Sequence, residues 1–166
     1  MTSVKPEHIK AALRAIEDME DPIRLKQMMK NAEDKGIGEV RDAAFIKLVN
    51  VLPEEKGEPF VFDAWKSIHA LEEMETHDRG KTVRLSRTRQ KIGRDGVRKT
   101  LADLAGATQS TKGFDMLIDR DLPELTFEAI LLKHPGEFDE VTKTKAAERL
   151  RSANVDVDRL SAGMKG

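Results

Sequence analysis

Apolar residues recur along this chain at helical spacing. Ile9, Leu13 and Ile16 stand at i, i+4 and i+7, with Ala12 beside them and Lys10, Arg14 and Glu17 off the stripe. This predicts an amphipathic helix capped by Ser3. Asp21-Pro22 then sets a capping carboxylate before a proline at the first helical position, and Leu25, Met28, Met29 and Ala32 make one face before Gly36 ends the pattern. Paired methionines can form adaptable binding surfaces, but at this spacing Met28 and Met29 read as core. From Gly38 to Leu52 the positions Val40, Ala43, Ala44, Leu48 and Val51 define a third helix, widened by Phe45 and Ile46. A polar, proline-bounded connection over 53–59 leads to a fourth, carried by Val61, Ala64, Trp65, Ile68 and Leu71 to about Thr76. Helices with short links predict an antiparallel bundle or a short right-angled stack, taken as a lobe over 1–77.

The pattern changes character at Asp78. Between Asp78 and Lys99 nine Lys or Arg residues face only Asp78 and Asp95, about seven net positive charges. Arg84, Arg87, Lys91 and Arg94 follow at spacings that put them on one helical stripe, with Leu85, Thr88 and Ile92 on the neighbouring one. The spacing therefore predicts a docked basic helix rather than a floppy tail. Asp95-Gly96 signals a turn, and Val97, Leu101 and Leu104 begin another helix, so 78–105 reads as a basic helix-turn-helix-like segment. It departs from the usual DNA-reading pattern. With Gly96 in the turn, the position expected to be small holds Ile92, and with Gly93 there, Arg94 stands where an apolar residue is required.

Downstream, a Ser/Thr/Gly-rich loop over Gly106–Gly113 precedes a short helical face of Phe114, Leu117 and Ile118. Leu125, Phe127, Ile130 and Leu131 predict a buried helix closed before Pro135, although the same run also alternates as a short strand would. Asp139 can cap a last helix carrying Val141, Ala146, Ala147 and Leu150. The small C-terminal lobe is assigned to 106–151 and a frayed tail to 152–166. The fold class expected is all-α, a bundle lobe followed by the basic segment and a small helical lobe.

Composition narrows the function. Apolar residues at 39% and charged residues at 36% of the 166 suit a helix-rich globular protein rather than a disordered one. Cysteine is absent, which removes disulfides, thiolate metal sites and a Cys nucleophile. No apolar run approaches the roughly 20 residues of a membrane span, and no signal-peptide core opens the chain, so a cytoplasmic protein without membrane insertion is expected. The whole chain carries a net charge of −1, so the basic island sits in an otherwise acidic protein.

That asymmetry points to a polyanion. The expected partner is nucleic acid, and duplex DNA above single strands, because one Trp, six Phe and no Tyr leave few platforms for base stacking. The residues assigned to phosphate contact are Arg79, Lys81, Arg84, Arg87, Arg89, Lys91, Arg94, Arg98 and Lys99, with Gln90 and Arg89 as candidates for base readout. Reversal of Arg87 and Lys91 together is expected to weaken binding without unfolding the protein. The competing explanation is a solvated face, or pairing with the acids around Glu17, Asp18, Glu20 and Asp21. A helical interaction module for an acidic protein partner or a second copy is the alternative function, and a metal-dependent nuclease the third. His69, Glu73 and His77 are spaced for one helical face but lack the HExxH arrangement, and no GxxxxGK[ST] or GxGxxG loop is present, so no metal, cofactor or catalytic residue is assigned.

Overall fold

The computed structural model describes residues 4–53 and 57–164. The described residues are mainly helical and include no strand, in agreement with the all-α expectation. Chain contacts divide the protein into two compact units, Met1–Glu54 and Glu55–Gly166. The division falls well before residue 77, because the fourth helix packs on the elements that follow it.

The first unit holds α1 (Pro6–Glu17), α2 (Pro22–Asp34) and α3 (Gly38–Val51). The expected Ser3 cap lies outside the described residues, and α1 starts at Pro6 with Lys5 at its N-cap. Asp21 caps α2 as expected, its Oδ1 accepting the Ile23 N–H at 2.9 Å with Pro22 in the first turn. Gly36 stops that helix at φ 71°, a left-handed conformation that glycine adopts without a Cβ penalty. Ile16, Met19, Leu25, Ala32, Val40, Ala44 and Leu48 form the buried cluster, with Met28 and Met29 packed against it. The methionines are therefore core, as their spacing implies.

The second unit is built on α4 (Pro59–Arg79), at 21 residues about 31 Å long. Proline at its start and Gly80 at φ 68° after its end delimit it. After it come α5 (Ser86–Asp95), α6 (Val97–Ala105), α7 (Lys112–Asp119), α8 (Phe127–Lys133), α9 (Glu140–Ser152) and α10 (Val157–Met164), with short 3-10 turns on either side of α8. The ambiguous LTFEAILLK run is thus a helix for most of its length, capped by Thr126 Oγ1 accepting from the Ala129 N–H. Ala129, Ile130 and Leu131 are buried, and α8 packs against α4, α6 and α9. Asp139 caps α9 through the Thr142 N–H at 2.8 Å.

Within the stretch expected to fray, Val157–Met164 form α10. Val155, Val157 and Leu160 repeat an apolar spacing, and Asp156 Oδ1 accepts the Arg159 N–H to open α10. Val157 is buried in the cluster of Phe114, Ala129 and Leu150. Small and polar composition hid a helix that docks through buried Val157 and half-buried Val155 and Leu160.

Candidate nucleic-acid interface

α4 buries three carboxylates, Asp63, Glu72 and Glu75. Each is answered by cations. Asp63 Oδ2 lies 2.7 Å from His134 Nε2 and 3.1 Å from Lys133 Nζ. Burial pushes the Asp63 carboxyl up, but those bonds hold it below its ordinary value. Glu75 pairs with Lys112 Nζ at 2.9 Å and Arg79 Nε at 2.7 Å, and the Lys112 bond leads in lowering its pKa. These pairs tie α7 and α8 to α4.

Glu72 performs the same task for the basic segment. Its side chain is 6% exposed, and its oxygens accept from Arg89 Nε and Nη2, both at 2.7 Å, and from the Leu85 N–H at 2.8 Å. The fork of the guanidinium matches the carboxylate. Burial raises the pKa of Glu72, while Arg89, Leu85 and Arg84 outweigh it and bring the value down. The Arg89 guanidinium also stacks on Trp65, 5.2 Å from the ring centroid. Arg89, expected to contact phosphate or a base edge, is thus engaged within the unit by Glu72 and Trp65.

None of the residues of α5 is buried. Leu85, Thr88 and Ile92 are half-buried, as the anchoring stripe requires. Gly96 alone separates α5 from α6, with φ 87°. DNA-reading helix-turn-helix units join their helices by three or four residues, so the segment is a helical corner of a different kind. Arg84 precedes α5 rather than lying on it.

The island is less bare than its sequence suggests. Lys91 Nζ contacts Asp95 at 2.8 Å and Asp103 at 2.7 Å, bridging α5 and α6. Lys91 is therefore a lock between helices, and its reversal would set a third carboxylate against two others. Lys99 pairs with Asp103 at 3.0 Å, Arg98 pairs with Glu137 and stacks on Phe60, and Arg79 pairs with Glu75. Glu75–Arg79, Lys91–Asp95 and Lys99–Asp103 follow the i, i+4 spacing of a helix, whereas Glu72 and Glu137 stand 6 and 38 positions outside the 78–99 run and reach it only through the fold.

Another part of the assigned set stays open to solvent. Lys81, Arg87 and Gln90 are exposed, and Lys81 and Arg87 have no carboxylate partner among the described residues. Arg84 is 62% exposed with Glu72 no closer than 3.8 Å, and Arg94 is 69% exposed beside Asp95 at 3.4 Å. Both guanidinium groups are solvated and their carboxylate contacts are long, so they are open to a further partner.

The His69, Glu73 and His77 spacing does not become a metal centre. Among the described residues no group of three or more His, Asp or Glu side chains is placed to hold an ion. His69 turns towards Glu72 and tilts against Trp65, and burial leads in holding its pKa down. His77 Nδ1 lies 3.6 Å from Asp78.

Among the described residues no helix is long and apolar enough to cross a membrane. No family model, curated protein or solved structure matches this chain, so any functional reading rests on its own residues.

Proposed function

We propose that the second unit binds the phosphate backbone of nucleic acid, duplex DNA above single strands, through the outer side of α5 and the loop before it. The observation that carries this reading is the set Lys81, Arg84, Arg87 and Arg94, all exposed and either unpaired or loosely paired. Arg87 and Arg94 stand seven positions apart, about 10 Å along the helix, a separation that lets them contact different phosphates of a duplex. Guanidinium groups suit phosphate because their fork can donate twice. The face is smaller than the run of nine cations implied.

The test is a salt titration of binding to random-sequence duplex DNA, with an equal-length single strand and heparin in parallel. Arg84→Glu with Arg87→Glu should weaken duplex binding by about tenfold or more and make the log–log salt slope shallower by about two. Unchanged affinity in that variant, or no wild-type binding at low salt, removes the reading. A helical interaction module is favoured by one observation, that the paired cations already take carboxylates as partners. Salt-sensitive capture of an acidic protein, with no duplex binding, would move that reading to first.

A further inference from the structure

Two ammonium groups converge on one oxygen at the α5–α6 corner. Asp103 Oδ2 lies 2.7 Å from Lys91 Nζ and 3.0 Å from Lys99 Nζ, one lysine from each helix. Lys91 reaches Asp95 as well, which orients it. An open cavity of about 360 Å³ adjoins Lys99, its cations Arg98 and Lys99 set among Asp95, Glu137 and Asp139, while Lys91 and Asp103 lie outside its lining. It has room for about a dozen waters at about 30 Å³ each, ample for a phosphate group. A phosphate oxygen asks the same of an ammonium as a carboxylate oxygen does, with more charge and more acceptors behind it. The Asp103 and Lys99 side chains are 39% and 61% exposed, so solvent and ions reach that pair, while Lys91, 22% exposed, keeps its contact with Asp95 when Asp103 moves away.

We propose that Lys91 and Lys99 form a second phosphate-binding point, which the Asp103 carboxylate occupies until a nucleic-acid backbone displaces it. The inference rests on the proposed function for the identity of its ligand. Asp103 is then an internal competitor. It lowers affinity and conceals one phosphate contact from the salt dependence of the wild-type protein.

Duplex binding is compared across salt for wild type, Asp103→Asn, Lys99→Met and the double variant, with Asp119→Asn on α7 as the charge control. Asp103→Asn should raise affinity by about threefold to tenfold and steepen the log–log slope by about 0.9, the contribution of one more phosphate. Lys99→Met in that background should remove both gains. An unchanged slope, or an equal gain from Asp119→Asn, overturns the proposal. Should Asp103→Asn melt early, Lys99→Met in wild type still decides. A loss under about twofold fits an occupied lysine, and a loss as large as that of Arg84→Glu with Arg87→Glu overturns the occupancy. The open face is read separately. Binding by Asp103→Asn but not by wild type upholds this inference and removes the open-face reading. Wild-type binding that Arg84→Glu with Arg87→Glu weakens and Asp103→Asn leaves alone does the reverse, and no binding by either removes both.

Discussion

The two units are held together by different chemistry. In the first, the buried cluster is Ile16, Met19, Leu25, Ala32, Val40, Ala44 and Leu48, all apolar. In the second, apolar clusters share the interior with Asp63, Ser67, Glu72, Glu75, Thr100, Thr126 and Glu128, which are all of the buried polar residues among those described. An apolar core tolerates changes of pH and salt, because nothing in it titrates. A core that buries carboxylates depends on their partners, since an unpaired charge in such surroundings is costly. Ion pairs are directional, however. Glu72 fixes both the entry of the chain at Leu85 and the place of α5 through Arg89, which greasy contacts alone would leave loose.

Acid should separate the units most widely. Asp63, Glu72 and Glu75 sit below their ordinary values of 3.8, 4.5 and 4.5 in the fold, so the folded state binds protons less readily than the unfolded one. The stability they contribute is present above those ordinary values and is lost as pH falls through the depressed ones. The second unit should unfold first on acidification, followed by the fluorescence of the single Trp65, while helical circular dichroism from the first persists. Simultaneous loss of both signals would break the comparison.

Single substitutions sharpen it. Glu72→Ala strands the Arg89 guanidinium and the Leu85 N–H, and should cost about 4 kcal/mol in urea unfolding followed by Trp65. Leu48→Ala, in the first unit, should cost about 3 kcal/mol through the cavity it leaves, with no change of its cost between pH 5 and 8. A smaller contrast lies within the basic segment. Lys91→Glu should lower the melting temperature of the second unit by several degrees, because the new carboxylate meets Asp95 and Asp103. Arg87→Glu, on an exposed side chain, should leave melting nearly unchanged. Equal effects of the two would mean that the Lys91 lock carries no stability.

Arg149 illustrates why ion-paired architecture is hard to read from a chain. Its guanidinium donates to the carbonyls of Leu104, Ala105 and Ala107 at the end of α6 and approaches Glu128 at 3.4 Å. Burial raises the pKa of Glu128, and the Arg149 contact does not offset it. Nothing in the spacing of Glu128 and Arg149 marks them out, because they meet across two helices. The same holds for Glu72 and Arg89, Glu75 and Lys112, and Asp63 and Lys133. In sequence each of these looks like one more solvated charge.

What the sequence determined by itself is whatever local chemistry decides. The 3.6-residue spacing of Leu25, Met28, Met29 and Ala32, the caps at Asp21 and Asp139, and the breaks at Gly36, Gly80 and Gly96 are interactions within a few residues of chain, and they stand in the structure. The exposure of Arg87 and Arg94 follows from the same periodicity, whereas Lys81 and Arg84 are exposed in the loop before α5. Only tertiary structure decided which cations are neutralised. Charge summed along a chain counts neighbours in sequence, whereas a carboxylate neutralises whatever cation lies within a few ångströms of it. Folding brought Glu72 to Arg89 and Asp103 to Lys91, and so turned part of a uniform basic run into internal fastenings and left the remainder facing solvent.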